Sequence, residues 1–312
     1  MKSIVSAGIL ILCIGLYAFR NGKAKGPVNE TELGKMLFFD PVLSQNGTVS
    51  CASCHKPEFA FADTVAFSKG FDGRPTARNT PSAMNVSSRG LLFWDGRSPS
   101  LEHQALQPVI NPVEMGMSLE QAVKRLRKSG YYRKAFHKIY HSAPTAALVG
   151  KAIAAYERTL ETGDAPMDRF LAGDINAVNA EAIRGREIFL QKGHCFDCHF
   201  GPDYTADEMR NIGIFDGKKY TDSGRWQVTR KPEDIGKFKV PGLRNIALTA
   251  PYMHNGMFRT LEEVVEYYDD PRKFIPEQLY TDTLIKPLQL STREKADLVM
   301  FLKSLTSSSL IK

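Results

Sequence analysis

The chain has 312 residues, and its 41 Lys and Arg against 34 Asp and Glu give a formal net charge of +7 and a sequence pI of about 9.1. Part of this excess lies in the N-terminal segment, at Lys2 and Arg20, so the basic balance does not indicate a nucleic-acid-binding protein. The length beyond that segment suits two domains of about 130–150 residues each.

Residues 1–20 resemble a signal sequence. Ile4–Phe19 is an almost unbroken apolar run flanked by basic residues, slightly short for a full membrane-spanning helix. Because no clean small-x-small cleavage site follows, the segment can also be retained as an N-terminal membrane anchor. Cys13 is either an ordinary apolar residue or a lipidated cysteine, although Leu12 is larger than the residues that usually precede such cysteines. Both alternatives predict export.

The remainder of the chain predicts helices and loops, without the sustained apolar–polar alternation of strands. We therefore expect an all-α protein. Helical spacing and capping residues predict helices at Thr31–Phe39 (capped by Asn29 or Thr31), Ser118–Tyr140, Thr145–Glu161, Asn179 through Gln191, and Ser291–Leu305 with a Ser-x-x-Glu capping box. The turn-rich segment 162–168 predicts a domain boundary, with domains at 28–165 and 166–312. The long loops at 70–100 and 201–258 are expected to be functional.

The pentapeptide CxxCH occurs twice, at Cys51–His55 and Cys195–His199, 144 residues apart. Two cysteines at this spacing form thioethers to one haem, and the adjacent histidine supplies an iron ligand. A zinc ribbon would need two CxxC pairs much closer together, and a thioredoxin-like site would need a βαβ surround. The motifs therefore predict two c-type haems held by Cys51, Cys54, Cys195 and Cys198, with His55 and His199 as proximal ligands.

Covalent haem attachment also bears on location and charge. In bacteria it takes place outside the cytoplasmic membrane, so the motifs agree with the export signal and predict a periplasmic protein. Loss of Lys2 and Arg20 leaves a net charge of +5 from the +7 of the full chain. The propionates of two haems would add roughly four negative charges and bring the total near +1.

Several further motifs resemble bacterial dihaem cytochrome c peroxidases, including their MauG-like branch, between about residues 30 and 306. These motifs are LGKMLFFDPVLSQNGTVSCASCH (33–55), RNTPS (78–82), FWDGR (93–97), NPVEMG (111–116), CFDCH (195–199) and FKVPGLRNIALTAPYMHNGMFRTLEEVV (238–265). The resemblance implies two all-α cytochrome c-like domains with their haems around the interface. The haem of the first domain, 28–165, would react with hydrogen peroxide, and the haem of the second domain, 166–312, would relay electrons.

At the first haem, many family members carry a distal histidine that blocks the iron until reduction releases it. Residues 56–102 contain no histidine, and Phe71 lies in the corresponding neighbourhood. We therefore expect an open iron that reacts with peroxide in the oxidised state. The resemblance assigns proton transfer to Glu114 with Gln104 as its hydrogen-bonding companion, and a partly apolar pocket would raise the pKa of that glutamate. Trp94 matches the tryptophan between the haems and is either a hole carrier, a core residue, or both.

At the second haem, alignment places Tyr268 where typical family peroxidases have a methionine ligand, as in MauG-like members. Helical spacing puts Leu261, Val264, Val265 and Tyr268 on one face, with Tyr267 rotated away. A phenolate would lower the haem potential relative to a thioether.

Other ligands at the second haem stay open. Met253 or Met257 can be the ligand instead of Tyr268.

The resemblance also implies Ca²⁺ bound by the side chain of Asn79 and the carbonyls of Thr249 and Pro251.

Three functions follow from the sequence. The first is a peroxidase that reduces hydrogen peroxide to water with electrons from a small cytochrome c or a cupredoxin. The second is a MauG-like enzyme that oxidises a protein side chain through high-valent iron; Tyr268 favours it, whereas Gly193 and His194 replace the surface tryptophan region of MauG. The third is a non-catalytic dihaem electron carrier. A monomer and a homodimer are both compatible with the sequence.

Overall fold

Helices form the framework of the computed structural model, which describes residues 26–310, so the predicted leader at 1–20 and Cys13 lie outside the described residues. The α-helices are α1 Glu30–Phe39, α2 Leu101–Gln104, α3 Gln107–Ile110, α4 Leu119–Lys128, α5 Gly130–Tyr140, α6 Ala146–Glu157, α7 Pro166–Leu171, α8 Ala180–Leu190, α9 Trp226–Thr229, α10 Leu261–Asp269 and α11 Thr292–Lys303. An antiparallel pair, β1 Met209–Arg210 and β2 Phe238–Lys239, adds a small sheet to the expected all-α architecture. Within residues 26–310, no helix is long and apolar enough to cross a membrane.

Side-chain caps start the helices that the sequence predicts. The Asn29 side chain accepts a hydrogen bond from the backbone N–H of Glu32 at 2.9 Å and begins α1, which confirms Asn29 rather than Thr31 as the cap. Asn179 begins α8 in the same way. Ser291 and Glu294 form the predicted capping box of α11.

The prediction of one helix over Ser118–Tyr140 is wrong, because the chain breaks at Ser129. That residue is extended, with φ −71° and ψ 114°, and its hydroxyl accepts from the N–H of Tyr132 to begin α5. Serine competes for backbone hydrogen bonds, and the glycine at 130 adds backbone freedom. The segment therefore folds as two short helices, α4 and α5, rather than one.

Buried apolar side chains form two main clusters, one spanning residues 33–160 and the other residues 167–305. In the first, α1 crosses α6 so closely that a Cβ on Gly34 would overlap the carbonyl oxygen of Ala152. In the second, α8 crosses α11 with the same overlap between Gly185 and Asp297. The two halves thus repeat one helix crossing. The domain division at residues 165 and 166 stays a prediction, with which both clusters are compatible.

Arginine–aspartate pairs join the two halves. Arg78 donates to Asp95 at 2.6 Å within its own half and to Asp222 of the other half at 2.7 Å. The backbone N–H of Lys239 donates to the carbonyl oxygen of Trp94 at 2.8 Å. Partly buried, charge-assisted bonds of this kind fix geometry better than exposed pairs do. They hold the FWDGR loop against the second half.

We predict that Gly34→Ala lowers the free energy of unfolding of the haem-loaded protein by about 1–3 kcal/mol, because the added methyl would force α1 away from α6. Gly130→Ala is the matched control. A Cβ at that position, the first residue of α5, meets nothing within 4 Å, so stability should rise by no more than about 1 kcal/mol. Chemical denaturation followed by circular dichroism measures both. Equal stability of the two variants would contradict the close crossing.

Candidate functional site

Both CxxCH motifs fold into the same local structure. Each begins as a short 3-10 turn, over Cys51–Ser53 in the first motif and Cys195–Asp197 in the second. The backbone N–H of the motif histidine donates to the carbonyl oxygen of the first cysteine at 2.9 Å in the first motif and 2.8 Å in the second. The duplication read from the sequence is therefore also a duplication of local geometry.

A backbone carbonyl orients each motif histidine. The Nδ1–H of His55 donates to Phe61 and that of His199 to Tyr204, both at 2.9 Å. The two accepting residues share a left-handed backbone, with φ 55° at Phe61 and 54° at Tyr204. Burial lowers the pKa of both histidines, so the rings are neutral. A neutral ring with Nδ1 engaged leaves the Nε2 lone pair for a metal.

The four motif cysteines fit haem attachment better than the other cysteine sites. They form no disulfides, and burial raises the pKa of Cys195 to about 12 and of Cys54 to about 11. Thiol redox centres instead have cysteines of depressed pKa. Among the residues that the structure describes, no group of three or more His, Cys, Asp or Glu side chains could hold a metal ion. The motifs are therefore suited to thioether bonds.

A cavity of about 820 Å³ lies over the first motif, within the usual range of cofactor sites. Cys51, Cys54 and His55 line one part of it, and Trp94, Gln104 and Glu114 also line it. The cavity thus brings together all the residues that the sequence assigns to the first haem. Its wall also includes residues of the second half, Asp222, Lys239 and Arg244 among them.

Glu114 follows α3 in a tight turn that carries its side chain into the cavity. Asn111, three residues earlier, donates from Nδ2 to Glu114 Oε1 at 2.6 Å. Burial raises the pKa of the carboxyl, although the Arg97 charge and the Asn111 hydrogen bond oppose this shift. Glu114 is therefore a carboxyl that can exchange a proton nearer to neutral pH than a surface glutamate.

The sequence predicts Gln104 as the hydrogen-bonding partner of Glu114, and the structure shows Asn111 bonded to that carboxylate. Gln104, at the end of α2, lines the same cavity without bonding to Glu114 among the described residues. The signal for Asn111 was its position within NPVEMG, since asparagine often bonds to a group a few residues ahead in a turn. The sequence analysis also did not single out Arg97 as a residue of this site. Its guanidinium carbon lies 3.5 Å from the centre of the Phe93 ring.

The loop around Phe71 packs directly on the Glu114 turn. The backbone N–H of Phe71 donates to the carbonyl oxygen of Glu114 at 2.7 Å, and the Phe71 ring lies against Gly116. His55 is the only histidine among the described residues that line the cavity. An open first haem stays a prediction, and this arrangement supports it.

Trp94 lies where the two halves meet. Its Nε1–H donates to the carbonyl oxygen of Asn79 at 2.8 Å, and the N–H of Asn79 donates to the carbonyl oxygen of His254 at 2.7 Å. The His254 ring is 6.4 Å from Trp94 and stacks on Phe238 at 3.7 Å. Burial lowers the pKa of His254 to about 4, so this ring is neutral. A chain of aromatic rings therefore extends from the cavity into the second half.

Tyr268 lies in α10 beside the second motif. Its side chain is partly buried against the second core cluster, and burial raises the pKa of its hydroxyl, as do the nearby Cys195 and Cys198. A tyrosine in this setting would ionise only next to a cation such as haem iron. Tyr267 is directed elsewhere, and its hydroxyl donates to the carbonyl oxygen of Ile212 at 2.7 Å.

The methionine alternatives lie in the same region. Met253 and Met257 both pack against the second core cluster, as Tyr268 does. Ligation by Tyr268 therefore stays a prediction, with either methionine as its alternative.

Asn79 is buried against the segment that carries Thr249 and Pro251, the other residues predicted to bind calcium. Its side-chain amide N–H donates to the carbonyl oxygen of Val65 at 3.2 Å. This bond uses the nitrogen and leaves the amide oxygen as the atom that a hard cation would use. The donor types fit calcium, and the site itself stays a prediction.

Comparisons with known proteins agree with this geometry. The family model for di-haem cytochrome c peroxidase matches residues 28–176. The chain is 38% identical over 277 residues to the methylamine utilization protein MauG of Methylorubrum extorquens, which covers 88% of this chain and 77% of that protein. It is 40% identical over 249 residues to the cytochrome c551 peroxidase of Nitrosomonas europaea, with 78% and 74% covered.

Solved structures show the same fold. A crystal structure of a MauG-like protein associated with microbial copper homeostasis matches with a TM-score of 0.83 and 34% identity, over 91% of each chain. The diheme peroxidase BthA from Burkholderia thailandensis matches with a TM-score of 0.79 and 24% identity, over 90% of this chain and 87% of that one. The helical, two-domain cytochrome c-like architecture is therefore shared.

We predict that Tyr268→Phe abolishes the low-spin EPR signal of the second haem and that Tyr268→Met raises its reduction potential, because an anionic oxygen ligand is lost. Tyr267→Phe makes the same chemical change one residue away. It should lower the free energy of unfolding by about 1 kcal/mol, through the lost bond to Ile212, and leave the haem signal unaltered. An unchanged signal and potential in Tyr268→Phe would make Met253 or Met257 the ligand.

Proposed function

The chain belongs to the dihaem cytochrome c peroxidase family, and on that premise we propose that it reduces hydrogen peroxide to water with electrons from a small cytochrome c or a cupredoxin. The peroxidases among its relatives make it a peroxidase-type oxidoreductase rather than a non-catalytic electron carrier. The observation that carries the proposal is the partly buried carboxyl of Glu114, whose pKa is raised, in the cavity that Cys51, Cys54 and His55 also line.

The family implies two c-type haems, whose iron would bind peroxide at one site and store electrons at the other. Cys51 and Cys54 would hold the first haem, and His55 would ligate its iron through the free Nε2. Cys195, Cys198 and His199 would hold the second haem in the same way. The matching carbonyl contacts of both histidines support these roles.

Glu114 would transfer a proton during cleavage of the O–O bond. It would accept a proton from one peroxide oxygen and return it to the other, which would leave as water. Its raised pKa lets the carboxyl both accept and release that proton, and the Asn111 amide holds one oxygen in position. The full reaction consumes two electrons and two protons for each peroxide reduced to two waters.

Trp94 would connect the two halves electronically. Its indole ring reaches from the cavity toward His254 and Phe238, and its N–H is fixed by the Asn79 carbonyl. A ring held in this way reorganises little when it loses or gains an electron. Calcium at Asn79, Thr249 and Pro251 would stiffen the same junction.

A second candidate function is the MauG-like oxidation of a protein side chain, and one relative of the chain is the methylamine utilization protein MauG. The burial of Tyr268 next to Cys195 and Cys198 favours it, since an anionic oxygen ligand would stabilise the more oxidised state of the second site. Gly193 and His194 argue against an identical route to the substrate. In either function we propose a periplasmic location.

We predict that Glu114→Gln slows peroxide cleavage by roughly 10²- to 10⁴-fold while both haems stay attached, because the amide cannot accept the proton. Glu58→Gln removes an exposed carboxyl close to the first motif and should leave the rate unchanged. Stopped-flow absorbance after peroxide addition gives the rates. A Glu114→Gln rate within a factor of about three of the wild type would remove Glu114 from the mechanism.

We also predict that the fully oxidised protein reacts with peroxide without prior reduction, because no histidine near Phe71 can block the first iron. Rapid mixing of oxidised protein with peroxide should change the Soret spectrum at once. Phe71→His places an imidazole beside Glu114 and should delay the reaction until one electron has been added. A wild-type protein that reacts only after reduction would contradict the prediction.

A further inference from the structure

Glu157 is a buried acid that the proposed peroxide chemistry does not use. It ends α6, is 6% exposed, and lines the cavity over the first motif. Its Oε2 atom is buried without a hydrogen-bond partner among the described residues. A buried carboxylate without a partner is costly, so the environment favours the neutral acid. Accordingly, burial raises the pKa of Glu157 to about 8.

The duplicated fold provides an internal comparison for this position. The crossing of Gly34 with Ala152 and Tyr156 in the first half matches that of Gly185 with Asp297 and Phe301 in the second. One residue further along the second helix of each crossing stand Glu157 in the first half and Leu302, also buried, in the second. An apolar side chain therefore meets the packing requirement, and the carboxyl is an addition specific to the first site.

The charges around Glu157 do not neutralise it. Arg158 is exposed and pairs with Glu102 of α2 at 2.7 Å, so the cation is already engaged. On the neighbouring first motif, the Cys51 thiol would be consumed by haem attachment. The ion pair between Glu30 of α1 and Lys151 lies nearer the start of α6, away from Glu157.

The basic residues on the cavity wall lie next to other carboxylates rather than pairing with Glu157. Arg78, Arg89, Arg97 and Arg244 each pair with an aspartate, and Lys239 lies 3.6 Å from Asp207. Glu114 is the other carboxyl of raised pKa in the cavity. Glu157 and Glu114 are therefore the two candidates for taking up protons at this site.

We propose that Glu157 is the group that takes up a proton when the first haem is reduced. The step adds one electron from the donor to the haem and one proton from solvent to a carboxylate oxygen of Glu157, so net charge in the cavity does not change. The physical cause is electrostatic, since loss of positive charge on the haem destabilises a nearby carboxylate. This inference rests on the proposed function only in requiring a haem at the first motif.

The test is a spectroelectrochemical titration of the haem-loaded protein between about pH 6 and pH 10, on either side of the Glu157 pKa. We expect the potential of the first haem to change little below about pH 8, where Glu157 already holds its proton, and to fall above it. The slope there should approach a tenfold shift of the reduction equilibrium per pH unit, which is about 59 mV for one electron. The second haem, whose half carries Leu302 at the position that matches Glu157, is the internal control and should vary less.

Substitutions assign the proton. Glu157→Gln and Glu157→Leu, the latter copying the second half, should flatten the pH dependence, whereas Glu58→Gln, at an exposed position, should preserve it. Redox-difference infrared spectra of the wild type, recorded above the Glu157 pKa of about 8, should show a carboxylic-acid carbonyl band appearing on reduction and missing from Glu157→Gln. A pH-independent wild-type potential would overturn the proposal. So would a pH dependence that survives in Glu157→Gln and disappears in Glu114→Gln.

The outcome is separable from the peroxidase proposal, because the titration contains no peroxide. A protein with the expected pH dependence and no peroxide turnover would leave Glu157 as the proton acceptor and remove the peroxidase function. Normal turnover with a flat potential would do the reverse.

Discussion

The hydrogen bond from His55 Nδ1–H to the Phe61 carbonyl sets the direction in which the first site faces. It fixes the imidazole ring, chooses its tautomer, and directs the Nε2 lone pair into the cavity. The left-handed backbone at Phe61 is needed to present that carbonyl, so the loop conformation and the ligand geometry depend on each other. Glu114 and Trp94 line the same cavity, so their positions relative to a group bound at Nε2 depend on this hydrogen bond.

At the junction between the halves, arginine–aspartate pairs lie beside a set of aromatic rings. Arg78 bridges Asp95 and Asp222, and its guanidinium lies 5.5 Å from the centre of the Phe238 ring. Removing one partner of such a buried pair would leave an uncompensated charge, which is costly. The neutral His254 ring in the same stack adds no charge of its own. The aromatic rings next to Trp94 are thus held in place by arginine and aspartate side chains that already pair with each other.

Much of the framework could be predicted from sequence, because its signals are local. Capping by Asn29, Asn179 and Ser291 depends on residues three positions apart, and both CxxCH motifs carry their own turn geometry. The break at Ser129 was missed, because apolar spacing continues through it and a local hydrogen bond decides the conformation.

The contents of the site were less predictable where they depend on packing across the chain. Asn111 rather than Gln104 bonds to Glu114, since the tight turn brings Asn111 closer. Glu157 gives no signal at all in sequence, because a glutamate at the end of a helix is ordinarily a surface residue. Only the crossing of α1 with α6 and the cavity beyond it show that the side chain is buried.

The two halves share a framework and differ in the groups placed on it, and this difference is the basis of a division of labour. His55 and His199 have the same carbonyl contact, and Gly34 and Gly185 the same crossing. Ionisable carboxyls line the first cavity, where the proposed peroxide reduction would require protons. The second half has a leucine at the position of Glu157. Under the proposed function the second half would store electrons, and a leucine at this position removes one carboxyl whose protonation could shift the potential of that site.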